Sequence, residues 1–295
     1  MRINTLHIIA ALAAACALAL PACSRHDADK PVLMVSVEPQ RAVLERLVGD
    51  EFEVASLLGR GSDPENFEPS MGERLRVDAA EIYFATGVLP FEERLRESSG
   101  TRFVDTSEGV EFIYGTHNHA GEEHGHDGDD AHGHSGAPDP HYWTSARGAK
   151  IIAANMAAVL AKLHPEMADS IRARLTRAVA RYDSLDAALA GRLASVPSRT
   201  FAVWHPSLSY FARDYGLRQL ALGAEGKELS ARALGEAISR ARADSVAVFF
   251  YQEAVDSRQA GAMSAGIGSR LVRINPMAYD WEGQLILAAD ALARP

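Results

Sequence analysis

Cysteine is nearly absent. The chain of 295 residues has two, Cys16 and Cys23, both in its opening stretch. A protein cut at that point would hold no disulfide and no thiol nucleophile. Positive charge is also in deficit: 30 Lys and Arg stand against 39 Asp and Glu, a net charge of −9 with histidine neutral. That balance gives no support to a nucleic-acid partner and is compatible with the handling of cations. Beyond the first residues no apolar run is long enough to span a membrane as a helix. Neither H-E-x-x-H nor G-x-S-x-G, two common hydrolase signatures, occurs.

What the chain does have is ample apolar material, 47% hydrophobic against 23% charged, enough for one large domain or two lobes. Its most unusual stretch is residues 117–143, H-N-H-A-G-E-E-H-G-H-D-G-D-D-A-H-G-H-S-G-A-P-D-P-H-Y-W. His117, His119, His124, His126, His132 and His134 lie there among acids and glycines. So polar a run cannot offset the entropy of ordering it, so it reads as a mobile loop. Neutral imidazole is the commonest ligand for late first-row metals, and flexible His-x-His spacing lets several converge on one ion. The alternative is a solvated spacer. Asp139-Pro140-His141-Tyr142-Trp143 then returns to ordered-looking sequence with a seventh histidine.

At the other end, Arg2 precedes an apolar run at 8–20 that is too short and too early for a membrane span. It closes on Leu20-Pro21-Ala22-Cys23-Ser24, which resembles the lipobox of bacterial lipoproteins. We therefore expect a signal peptide at 1–23 with Cys23 lipidated, a tether at 24–30, and a protein that is exported and anchored to a membrane.

Residues 31–37 form a continuous apolar, β-branched run, as in a strand buried on both faces. Residues 40–48 place Val43, Leu44, Leu47 and Val48 at helix spacing, stopped by Gly49. Strands are expected over 52–58, 82–85 and 102–104, with helices over 70–77 and 91–96 between them. Such alternation implies βα units and a mostly parallel sheet. A helix over 145–163 ends at Pro165. Residues 166–194 carry Ile171, Leu175, Ala178, Tyr182, Leu185, Leu189 and Leu193 at three- and four-residue steps, a helix of about 40 Å that could bridge two lobes. The second half repeats the pattern, with strands over 200–204, 218–222, 245–251 and 271–274. Its helices are expected over 208–215, 230–243, 258–265 and 281–293. Tyr83, Phe84, Phe249, Phe250 and Tyr251 read as core, Arg240, Arg242 and the acids of 92–97 as solvated faces, and His164 as a helix-end cap.

Ligands of α/β sheets bind beyond the carboxyl ends of the strands. His205 follows one such strand, Asn275 another, Glu65 lies in the loop after 52–58, and His141 in the long loop after 102–104. Two imidazoles and a carboxylate are a normal zinc-type set, which a fourth oxygen or a water completes.

The chain resembles the solute-binding lipoproteins of zinc and manganese ABC importers, along the whole length after the leader. The matching stretches are V-S-V-E-P-Q at 35–40, D-P-E-N-F-E-P-S at 63–70 and D-P-H-Y-W at 139–143. The second half adds H-P-S-L-S-Y-F-A-R-D-Y-G-L at 205–217, E-G-K-E-L-S at 225–230 and I-N-P-M at 274–277. The resemblance implies an α/β fold of two lobes, 31–164 with its loop 117–134 and 197–295, joined by a long helix within 165–196. It places metal in the cleft between them. The four ligand places fall on Glu65, His141, His205 and Asn275, with Glu225 or a water competing for the fourth. Glu65 stands where many relatives have histidine, and Asn275 where many have aspartate.

The site's mixed donors do not decide between zinc and manganese; the His-rich loop, typical of the zinc branch, favours Zn2+, with Mn2+ as the alternative. The resemblance further implies a periplasmic monomer that delivers metal to an ABC importer permease, and no enzyme. Two other readings remain: a His-loop metal store or adhesin, and a zinc hydrolase that would have to use Glu225 or Glu253 as its base.

Overall fold

The computed structural model describes residues 30–59, 62–115, 136–223, 230–252 and 257–294. The leader with Cys23, the six histidines of the loop at 117–134, Glu225 and Glu253 lie outside the described residues.

The first sheet is built from β1 (Val32–Val35), β2 (Glu53–Ser56), β3 (Ile82–Ala85) and β4 (Arg102–Asp105), all parallel, in the order β2-β1-β3-β4. Central β1 and β3 are buried almost throughout while β2 and β4 are half-buried, which is why only the central pair reads as unbroken apolar sequence. Three helices alternate with these strands: α1 (Glu38–Val48), α2 (Met71–Asp78) and α3 (Pro90–Ser98). Each begins with a residue that reaches back to the cap. Glu73 Oε2 accepts from Ser70 N at 2.7 Å while Ser70 Oγ accepts from Glu73 N, a full capping box. Gln40 and Glu92 make the same backward bond to the Val37 and Leu89 amides, each beside a proline in the first turn.

Helix α4 (Ala146–Leu163) is capped by Ser145, whose Oγ accepts from Arg147 N and Gly148 N. A turn at Pro165–Met167 leads into α5 (Ala168–Leu193), whose 26 residues extend about 39 Å. Its buried stripe is Ile171, Ala178, Tyr182, Leu185, Leu189 and Leu193, the face the periodicity predicts.

The second lobe repeats the topology. Its strands β5 (Thr200–Val203), β6 (Arg218–Ala221), β7 (Val248–Tyr251) and β8 (Arg270–Arg273) are parallel in the order β6-β5-β7-β8. Its helices are α6 (Ser209–Asp214), α7 (Ala231–Ala243), α8 (Ser257–Ile267) and α9 (Trp281–Ala293). The long α5 packs against α1 and α4 of the first lobe and α9 of the second. One apolar core accordingly runs from Leu33 through Tyr182 and Leu189 to Phe250 and Trp281, with a smaller one around Trp204, Phe249 and Met263. No helix among the described residues is long and apolar enough to cross a membrane.

Two expectations need correction. The strand expected over 245–251 is confined to Val248–Tyr251. Ser245 has φ 53°, and its amide and that of Val246 bond back to Arg242 and Ala241, so the apolar run first has to close α7. Glu92 is no solvated acid. It is 5% exposed, and its carboxylate accepts from Thr86 N, Thr86 Oγ1, Gly87 N and Leu89 N, and from Ser36 Oγ. A helix-surface pattern fails here because the first turn of α3 faces the carboxyl ends of the central strands β1 and β3 and not water.

Candidate metal centre

In each sheet the chain turns opposite ways after the two central strands, so their carboxyl ends flank a crevice. His205 lies two residues beyond β5, next to the end of β7, in the second lobe. From the first lobe come Glu65, on the loop between β2 and α2, and His141, just before the turn Tyr142–Thr144 that leads to α4.

These three side chains meet. Nε2 of His141 and Nε2 of His205 are 3.3 Å apart, and Oε1 of Glu65 is 3.6 Å from His205 Nε2 and 3.9 Å from His141 Nε2. A tetrahedral ion about 2.0–2.1 Å from each imidazole would set its nitrogens roughly 3.3–3.4 Å apart, so the pair already has the right separation. The carboxylate needs to move by a few tenths of an ångström. Among the described residues this is the one group of three His, Cys, Asp or Glu side chains with that convergence. The His141 side chain is almost fully buried and those of Glu65 and His205 are mostly so, which limits competition from water.

The segment around His141 is held from several sides. Asp139 Oδ1 accepts from both Nδ1 and the backbone N–H of His141, each at 2.9 Å. A hydrogen on Nδ1 leaves the Nε2 lone pair facing His205 and Glu65, the tautomer a metal requires. Burial pulls the His141 pKa down, but the hydrogen bond and charge of Asp139, followed by the charges of Glu65 and Asp63, outweigh it and leave it raised. Burial likewise pushes Asp139 up, and its bonds to His141 reverse that to a net lowering. The Asp139 carbonyl accepts from Tyr210 Oη at 2.7 Å, so the second lobe supports the ligand loop of the first. Trp143 packs edge-on to His141 and donates from Nε1 to Pro276 O. In the other lobe Gln252 Nε2 donates to His205 O and Ser207 Oγ and steadies the His205 turn.

Glu65 is presented by a small turn in which Asp63 Oδ1 accepts from Glu65 N and Asp63 Oδ2 from Asn66 Nδ2. Asn275 is used differently. Its Oδ1 accepts from Met277 N at 3.0 Å and its own N–H donates to Gln284 Oε1, so the amide oxygen is engaged in a local turn. Of the expected set, then, Glu65, His141 and His205 are together, Asn275 shapes a loop, and Glu225 lies outside the described residues. Sequence reading passed over Asp139, Trp143, Tyr210 and Gln252 as supports. For Asp139 the D-x-H spacing was an available signal, since Asp bonds its own backbone two residues on.

The model of the family described as zinc-uptake complex component A, periplasmic (ZnuA), matches residues 33–285. The chain belongs to this family. It is a family of uptake components, not of enzymes. A zinc-binding lipoprotein of Streptococcus pneumoniae, AdcA, is 27% identical over 279 residues, covering 90% of this chain and 54% of its own length. The chain thus spans about half the length of the first curated relatives it matches. The high-affinity zinc uptake system protein ZnuA of Bacillus subtilis is 24% identical over 280 residues, 90% of this chain and 86% of that protein. Among solved structures, a zinc-bound ZnuA lacking its residues 138–173 superposes with a TM-score of 0.78 at 29% identity, over 90% of this chain and 97% of the other. FpvC of Pseudomonas aeruginosa in complex with Mn2+ shares the fold, with a TM-score of 0.73 at 22% identity over 90% of this chain and 97% of that one.

Proposed function

We propose that this ZnuA-family chain captures a divalent transition metal, zinc before manganese, outside the inner membrane and delivers it to the permease of an ABC importer. Glu65, His141 and His205 are the ligands, and a water or Glu225 completes the shell. The observation that carries this reading is the convergence of two imidazole nitrogens and a carboxylate from two lobes, the nitrogens already at the separation a tetrahedral ion sets. Two nitrogens and an oxygen can hold either zinc or manganese, and it is the relatives named for zinc that favour zinc. The loop histidines, His117 to His134, act as an auxiliary collector, and a lipid on Cys23, left as the first residue once the leader before it is removed, anchors the protein. Residues 31–164 and 197–295 serve as the two lobes, and 165–196 as the helix that spaces them.

A titration of the purified protein with zinc, manganese, copper and nickel, with and without residues 117–134, tests this. One tight zinc equivalent should survive loop deletion and disappear in the His141→Ala/His205→Ala double variant. Loss of all tight binding with the loop would make the protein a store, and tighter binding of manganese would overturn the choice of metal.

A further inference from the structure

Beneath the ligand loop lies a ring of buried polar side chains, none of which belongs to the converging group Glu65, His141 and His205. Glu92 is its hub. Tyr83 Oη, 2.8 Å from Ser36 Oγ, donates to it, and Ser36 Oγ in turn donates to Glu92. The same carboxylate accepts from Thr86 N at 2.7 Å and Gly87 N at 2.9 Å, which clamps the chain where it leaves β3. The Thr86 carbonyl accepts from Tyr142 Oη at 2.9 Å, and Tyr142 directly follows His141. Tyr142 Oη also lies 3.0 Å from Thr106 Oγ1, which accepts from Gln40 Nε2. Gln40 Oε1 closes the ring by accepting from Ser36 N. Ser36, Gln40, Thr86, Thr106 and Tyr142 are all fully buried. They gather the ends of β1, β3 and β4 around one tyrosine hydroxyl.

We propose that Glu92 is a positioning residue for the metal site: through Thr86 it fixes Tyr142, and through Tyr142 it sets the pose of His141. The geometry favours this over packing alone, since the carboxylate takes five donors and an apolar side chain of the same volume would leave the Thr86 amide without its acceptor and free the turn that holds Tyr142. The preceding turn is built for it, because Gly87 has φ +80° and a Cβ there would collide with Asp105. The inference rests on His141 being a ligand.

The test uses the whole purified protein and two variants, Glu92→Gln and Tyr142→Phe. Zinc affinity is read by chelator competition, and ligand geometry by the visible spectrum of one equivalent of Co2+. The His141→Ala/His205→Ala spectrum is subtracted to isolate the cleft. Both variants should weaken zinc about tenfold or more and alter the cobalt difference spectrum. The double variant should be no weaker than the worse single, since both cut one path. Leu95→Ala, a buried apolar truncation on the same helix, should lower the melting temperature and leave the cobalt spectrum as in wild type. Wild-type affinity and spectrum in both variants would overturn the proposal, as would spectral changes equal to those of Leu95→Ala. If Glu92→Gln does not fold, Tyr142→Phe decides alone. If the histidine double variant binds zinc like wild type, the ligand assignment and this inference fall together; if only the former pair behaves as wild type, the assignment stands.

Discussion

Asp139 meets His141 through two bonds to one oxygen, so its effect on metal binding should exceed that of a distant charge. Asp139→Asn should weaken zinc about 10- to 100-fold in a competition titration, the range found when a partner of a ligating histidine is lost. The same pair makes pH informative. In metal-free protein the raised pKa of His141 means that its protonated form stabilises the fold. That contribution is complete below the ordinary histidine pKa of about 6.5 and is lost as pH rises through the raised folded value. Zinc requires the Nε2 lone pair, so its affinity runs the other way and falls as protons return. Thermal melts across this window should therefore slope in opposite senses with and without zinc; parallel slopes would refute the assignment. Gly148 gives a third residue-level outcome. A Cβ there would strike the Tyr142 carbonyl, so Gly148→Ala should cost about 1–3 kcal/mol in denaturation and loosen zinc binding by displacing the His141 turn.

Elements carry a different set of forces. Glu282, in the first turn of α9, accepts from Arg181 on α5 at 2.8 Å and from Arg46 on α1 at 3.0 Å, and its side chain is only 9% exposed. It ties the long helix to one helix of each lobe. Glu282→Ala should cost about 1–2 kcal/mol by chemical denaturation, less than a fully buried pair because both arginines reach solvent. Arg172→Ala, which breaks only the solvent-exposed pair with Asp169, should stay within about 0.5 kcal/mol. The elements were legible where burial is periodic: 281–293 was expected as a helix and α9 is Trp281–Ala293, and the stripe on α5 is the one read from its leucines. They were less so where backbone closure competes with side-chain pattern, as at Ser245. Glu65, His141 and His205 could be singled out because strand ends are where α/β sheets put ligands. Glu92 could not, because an acid amid E-E-R-L-R-E looks solvated until the turn before α3 is known. Its position three residues after the cap was the one available sign.

At the scale of the molecule, the two lobes are joined by more than α5. Thr144 Oγ1 donates to Ser207 O at 3.0 Å, Trp143 to Pro276, Tyr210 to Asp139, and Ser145 to Asp214, while one apolar core crosses between them. Zinc binding should accordingly leave the radius of gyration from small-angle scattering unchanged, and a clear contraction would point to a hinge instead. His141 and His205 stand 64 positions apart in the chain and meet only when both lobes are built. An unfolded chain has no such pairing, so metal at a hundred times its dissociation constant adds about 2.7 kcal/mol to the folded form alone. Because proteases consume opened chains, the loaded protein should outlast the empty one, and its lifetime becomes a gauge of metal supply.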